Sequence, residues 1–91
     1  MQRALAISEK ALGPDHPATA RILNDLAVMY ADQRRYDEAV LRYEKAASIL
    51  VKAGGANQRD VIAILDNLSR ALNEAGRTSD FDEIRARILK Q

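Results

Sequence analysis

No cysteine occurs in this 91-residue chain, which removes disulfides, thiolate metal sites and cysteine nucleophiles together and suits a reducing compartment. Tryptophan is also absent, and three tyrosines and one phenylalanine are the only aromatics, too few for the interleaved stacking platforms of single-strand nucleic-acid binders. Net charge is only +1, so no global field draws the chain onto nucleic acid or an acidic membrane. Long hydrophobic runs are missing as well. A run such as Ala46 to Val51 is far too short to cross a bilayer, and the charges within the first twelve residues interrupt the apolar core that a signal peptide needs. These absences lead to the expectation of a soluble, cytoplasmic protein that binds neither membrane nor nucleic acid.

What is present favours helix. Ala, Leu, Ile, Arg, Glu and Asp dominate a composition that is 47% hydrophobic and 30% charged. At this length one domain is the most the chain can form, and it buries only about 60–65% of its unfolded surface. Four segments carry a 3.6-residue apolar period. They are Ile22, Leu23, Leu26, Ala27 and Tyr30; then Tyr36, Ala39, Val40, Tyr43, Ala46, Ala47 and Leu50; then Val61, Leu65, Leu68, Leu72 and Ala75; and finally Phe81, Ile84 and Ile88. Ala4, Leu5, Ser8, Ala11 and Leu12 read as a fifth helix ahead of these.

The breaks follow from backbone chemistry. Gly13, Pro14 and Pro17 interrupt one helix and start the next, with Asp15 or His16 near the cap. Gly54–Gly55 stops the third helix, and Gly76 stops the fourth, with Thr78 or Ser79 offered to cap the last. Links this short require neighbouring helices to pack antiparallel.

Displaced by 42 residues, the chain matches itself. Ala4 falls on Ala46, Ile7 on Ile49, Gly13 on Gly55, Ile22 on Ile64, Leu23 on Leu65, Leu26 on Leu68 and Arg35 on Arg77. A period of this size, carried by stripe residues and breakers, is the sequence form of an α-solenoid built from helix pairs.

On these residues the chain resembles the tetratricopeptide repeat of the kinesin light chain type. The likeness runs through Ala11-Leu12-Gly13-Pro14-Asp15-His16-Pro17, then Leu23-Asn24-Asp25-Leu26-Ala27, then Tyr36-Asp37-Glu38-Ala39 with Tyr43, Ala46 and Ile49. It is strong from Ala4 to Leu50 and weaker beyond. The fold it implies is all-α, with about five helices in antiparallel pairs stacked as a short right-handed superhelix. Residues 1–13 are then the second helix of a preceding repeat, 17–54 a complete repeat and 57–91 a degenerate capping repeat. Ala27 and Ala39, small enough for close helix approach, become Ser69 and Phe81 in the second copy, so the last helix is expected to shift or tilt. Arg85, Arg87, Lys90 and Gln91 are expected to give it a polar outer face.

The same resemblance implies a protein-interaction scaffold, the C-terminal part of a longer array, and not an enzyme. In the family, asparagines of the Leu-Asn-Asn-Leu-Ala stretch hydrogen-bond the backbone of an extended peptide in the concave groove. The matching positions here are Asn24 and Asp25, and Asp66 and Asn67, with Arg21, Val28, Asp32, Arg70, Asn73 and Glu74 on the same side. Amides donate and accept at once, which suits a peptide backbone, and the mixed charge suits a ligand carrying both signs. Asp25 stands where the family has asparagine, and a merely solvated face is the other reading of these residues. A homodimer formed through the apolar face of Leu5, Ile7 and Leu12 is the alternative function.

No catalytic or cofactor site is expected. His16 is the lone histidine, without partners for a metal pair or a nucleophilic triad, and its Asp-His-Pro context reads as a loop leading into a helix. Asp37, Glu38, Asp80, Asp82 and Glu83 sit where first helical turns favour acids. No phosphate loop follows Gly54–Gly55.

Overall fold

The computed structural model describes residues 7, 10, 11, 13, 16–54 and 58–90. Its elements are α1 (Pro17–Asp32), α2 (Tyr36–Ala53), α3 (Gln58–Glu74) and α4 (Phe81–Leu89), with a 3₁₀ turn at Thr78–Asp80 leading into α4. Among the described residues there is no strand. Ile7, Lys10 and Ala11 are helical. The rest of the expected first helix lies outside the described residues, as do Asp15, Gly55 and Gln91.

Each boundary has a chemical cause. His16 caps α1 with its own ring, Nδ1 accepting the Ala18 N–H at 3.0 Å, while Pro17 takes a first-turn position that needs no amide proton. Thr19 hooks the preceding loop onto the helix: its hydroxyl, fully buried, donates to the Gly13 carbonyl at 3.1 Å. Asp37 and Glu38 in the first turn of α2 and Lys52 in its last complement the helix dipole. At α4 the expected cap does not form. Neither Thr78 nor Ser79 caps it, because the 3₁₀ turn runs directly into the helix and the Thr78 hydroxyl donates instead to Asn73 Oδ1 at 2.9 Å.

α1 packs along α2, α2 packs along α3, and α4 reaches back to both α2 and α3. With only Gln33–Arg35 between them, α1 and α2 run antiparallel. Alanines permit the close approach: Ala27, Ala39, Ala46 and Ala47 are all fully buried. Leu26, Leu68, Leu72 and Ile88 fill the remaining core, with Phe81 half-buried against it. The apolar stripe of α3 is rotated from its expected position. Ile64 and Ala71 are buried and Leu65 and Ala75 only partly so, since α3 must face both α2 and α4. In α1 the buried face likewise includes Thr19 and Ala20, while Ile22 is half-buried.

α1 and α3, the leading helices of the two pairs, touch least of all the packed pairs. That leaves a groove between them, floored by α2.

Candidate functional site

The groove contains a cleft of about 240 Å³. α1 contributes Val28, Ala31 and Asp32, one helical turn of its exposed edge. α3 contributes Asn67, Arg70, Ala71 and Glu74, which share a face at spacings of three and four. The floor is Tyr43 of α2, only 3% exposed.

Charge is concentrated here without being neutralised. Neither Asp32 nor Arg70 has an ion-pair partner within 4 Å among the described residues. Burial first, then Glu74, push the Tyr36 phenol above its ordinary value of 10.0, against the opposing Arg34. Tyr43 is raised as well: burial is the main cause, Arg70 opposes it, and Asp32 and Glu74 add to it. The floor of the cleft is thus a phenol held neutral beside two carboxylates and a guanidinium.

Beside the cleft lies a smaller hollow of about 80 Å³, bordered by Arg21, Asn24 and Asp60 over Leu50 and Ile64. Asn67 Nδ2 donates to Asn24 Oδ1 across the groove at 3.5 Å, at the long limit of a hydrogen bond. The second amide hydrogen of Asn67, the Asn24 amide group and the Asn67 carbonyl remain to face a ligand.

Of the ten groove residues expected from sequence, Val28, Asp32, Asn67, Arg70 and Glu74 converge on the cleft, and Arg21 and Asn24 border the adjoining hollow. Asp25 and Asp66 are exposed and line neither. Asn73 turns to the end of α3, where it holds Thr78. Tyr43, Ala31 and Ala71 were not among the expected residues. Tyr43 lies on the buried stripe of α2, and nothing in its spacing shows that its oxygen opens into the groove. Of the self-association face, Ile7 is 62% exposed, while Leu5 and Leu12 lie outside the described residues.

Four basic residues elsewhere are engaged. Arg35 Nη2 lies 2.8–2.9 Å from both Glu38 carboxylate oxygens, and its guanidinium sits 4.9 Å from the Tyr30 ring centroid, with Arg42 at 5.2 Å. Arg77 joins Asp80 and Asp37. Arg87, exposed on α4 with Arg85 and Lys90, also reaches back to Glu44 of α2 at 2.9 Å. Among the described residues no His, Cys, Asp and Glu cluster is placed to hold a metal ion, and no helix is long and apolar enough to cross a membrane.

The sequence model of the tetratricopeptide repeat family matches residues 1–50. Human tetratricopeptide repeat protein 19, mitochondrial, is 33% identical over 90 residues, which covers 99% of this chain and 23% of that protein. Its rat counterpart is 29% identical over the same length. Nephrocystin-3 of Xenopus tropicalis is 41% identical over 46 residues, half of this chain and 4% of that protein. The chain therefore spans less than a quarter of the first relative and a small fraction of the last.

Proposed function

Because the chain belongs to the tetratricopeptide repeat family, whose repeats mediate protein–protein interaction, we propose that it is a non-enzymatic scaffold that holds an extended segment of a partner protein in the groove between α1 and α3. The observation that carries this reading is the cleft itself: Asp32 and Arg70 stand unpaired at its walls, and Asn24 and Asn67 face each other across the adjoining groove with bonding capacity to spare. An extended peptide has a donor and an acceptor in every residue, and amides on two parallel walls suit it without dictating its side chains. Residues 17–54 serve as a complete repeat and 57–91 as a degenerate one within a longer array.

Selection of displayed peptides against the chain tests this. Peptides recovered should lose about tenfold or more in affinity for an Asn24→Ala/Asn67→Ala variant of unchanged helicity, and keep it for Lys45→Ala, an exposed residue of α2 outside the groove. Failure to recover any peptide, or recovery of peptides indifferent to Asn24 and Asn67, would count against the groove. A homodimer through the Ile7 face is the competing outcome, and light scattering at several concentrations separates the two. The compartment we propose is the cytoplasm. The name of the human relative carries the word mitochondrial, and fractionation of cells expressing the parent protein decides between them.

A further inference from the structure

We propose that the cleft is a socket for one basic side chain of the partner segment, its methylene stem against Val28, Ala31 and Ala71 and its cationic head among Asp32, Glu74 and the Tyr43 hydroxyl. The proposal deepens the groove reading and rests on it.

The first support is Tyr43. The residue is 3% exposed, its side chain lines the cleft, and among the described residues none hydrogen-bonds its hydroxyl. The hydroxyl is not itself sealed from solvent, and the surface it keeps lies where its side chain lines the cleft, open to a ligand there. The second is the charge around it. After burial, Arg70 acts most strongly on the Tyr43 oxygen, then Asp32 and Glu74 in the opposite sense, and neither Asp32 nor Arg70 has a countercharge within 4 Å among the described residues, so the acids outnumber the one guanidinium of the cleft. Two carboxylates and a phenol oxygen offer acceptors for an ammonium's three donors or for part of a guanidinium's five. The third is the wall chemistry: Val28 is 38% exposed, and the small apolar faces of Ala31 and Ala71 leave room for an aliphatic stem of the kind lysine and arginine lay along apolar surface.

Other occupants fit less well. A carboxylate would meet Asp32 and Glu74. An apolar side chain would give the two exposed acids no countercharge and the Tyr43 hydroxyl no partner. Arg70, on the α3 wall beside Asn67, is the donor for a main-chain carbonyl or carboxylate flanking the basic residue, which is why the cleft is not simply acidic.

Amide NMR titration of the full chain at fixed ionic strength, with n-butylammonium, n-butylguanidinium and butyrate as probes, tests the socket. One or both cations should give saturable shifts centred on Asp32, Tyr43 and Arg70 to Glu74, and the tighter one identifies a lysine or an arginine. Butyrate should give none there. Asp32→Asn with Glu74→Gln should weaken the cation by about tenfold or more, and Tyr43→Phe, which keeps the buried ring, should weaken it with the thermal melt retained. No saturable shift from either cation, equal response to butyrate, or affinity unchanged in the double variant overturns the proposal. Selected peptides that survive Asp32→Asn/Glu74→Gln but are lost with Asn24→Ala/Asn67→Ala overturn the socket and leave the groove standing. Peptides indifferent to both sets overturn the groove itself.

Discussion

Arg34 and Gly76, 42 residues apart, occupy the same left-handed backbone position, at φ 62° and 74°. Each follows the end of a leading helix. The Arg34 N–H returns to the Ala31 carbonyl at 3.0 Å and the next N–H, of Arg35, to Tyr30 at 2.8 Å; the Gly76 N–H returns to Asn73 at 3.1 Å and that of Arg77 to Leu72 at 2.7 Å. This is the paired bonding of a Schellman cap. The following arginines then make equivalent ion pairs three residues on, Arg35 with Glu38 and Arg77 with Asp80. The repeat is therefore retained in its backbone bonding even where its side chains diverge.

One copy uses glycine at this position and the other an arginine, so the two caps carry different strain. A residue with a Cβ pays about 1–2 kcal/mol in the left-handed region, and the extra unfolded-state freedom of glycine returns about 0.5–1 kcal/mol of that. Arg34→Gly should therefore stabilise the chain by about 0.5–1 kcal/mol, a rise of roughly 2–8 °C in the thermal midpoint. Gly76→Ala should lower it by a similar amount through backbone strain alone, because an added Cβ there meets nothing within 4 Å. Circular-dichroism melts of both variants read the effect.

Leu68 has no exposed surface and lies where α3 closes on the core. Leu68→Ala should cost about 2–5 kcal/mol, a large share of what a chain of this size has to lose. Ile62 is on the same helix but 55% exposed, and Ile62→Ala should stay within about 0.5 kcal/mol. Urea titrations of the two should differ accordingly in midpoint with similar slopes.

The helices were legible because periodicity reports which residues share a face. It placed Leu23, Leu26, Val40, Tyr43 and Leu68 inward, where the structure has them. Periodicity does not say how many neighbours a helix must face, so Ile64 and Ala71 were missed in α3, which packs on both α2 and α4. The groove was legible as a face and not as a cleft. Asp25 and Asn67 occupy corresponding positions in the two copies, yet only Asn67 borders the cleft, because the pairing across the groove joins Asn24 to Asn67 and not to its own counterpart, Asp66. Tyr43 was hidden for a different reason. Its ring belongs to the core and its oxygen to the groove, and an apolar pattern registers only the ring.

Two ion pairs tie α2 to the second copy, Asp37 with Arg77 at 2.8 Å and Glu44 with Arg87 at 2.9 Å. Their burial sets their worth. The Asp37 side chain is 88% exposed and that of Glu44 26%, so solvent screens the first more completely. Double-mutant cycles with alanine should give a coupling of about 0–0.5 kcal/mol for Asp37–Arg77 and up to about 1 kcal/mol for Glu44–Arg87. Repeating the cycles in 1 M salt should shrink both.

Tyr36 and Tyr43 both ionise above the ordinary tyrosine value of 10.0 in the folded chain. For Tyr43 burial is the main cause, reinforced by Asp32 and Glu74 and opposed by Arg70. The fold favours the neutral phenol, so the stability this contributes is complete below pH 10 and is lost as pH rises through the folded value. Absorbance at 295 nm should therefore show Tyr36 and Tyr43 titrating later in the folded chain than in urea, and urea midpoints should fall from about pH 9 toward about pH 11. Tyr43→Phe should remove one late-titrating group and flatten part of that alkaline decline, since a ring without a hydroxyl has no charge to refuse. A late phase undiminished in Tyr43→Phe, with the amplitude lost instead from the part that titrates near the ordinary value, would mean that the Tyr43 phenol does not sit in the charged floor of the cleft.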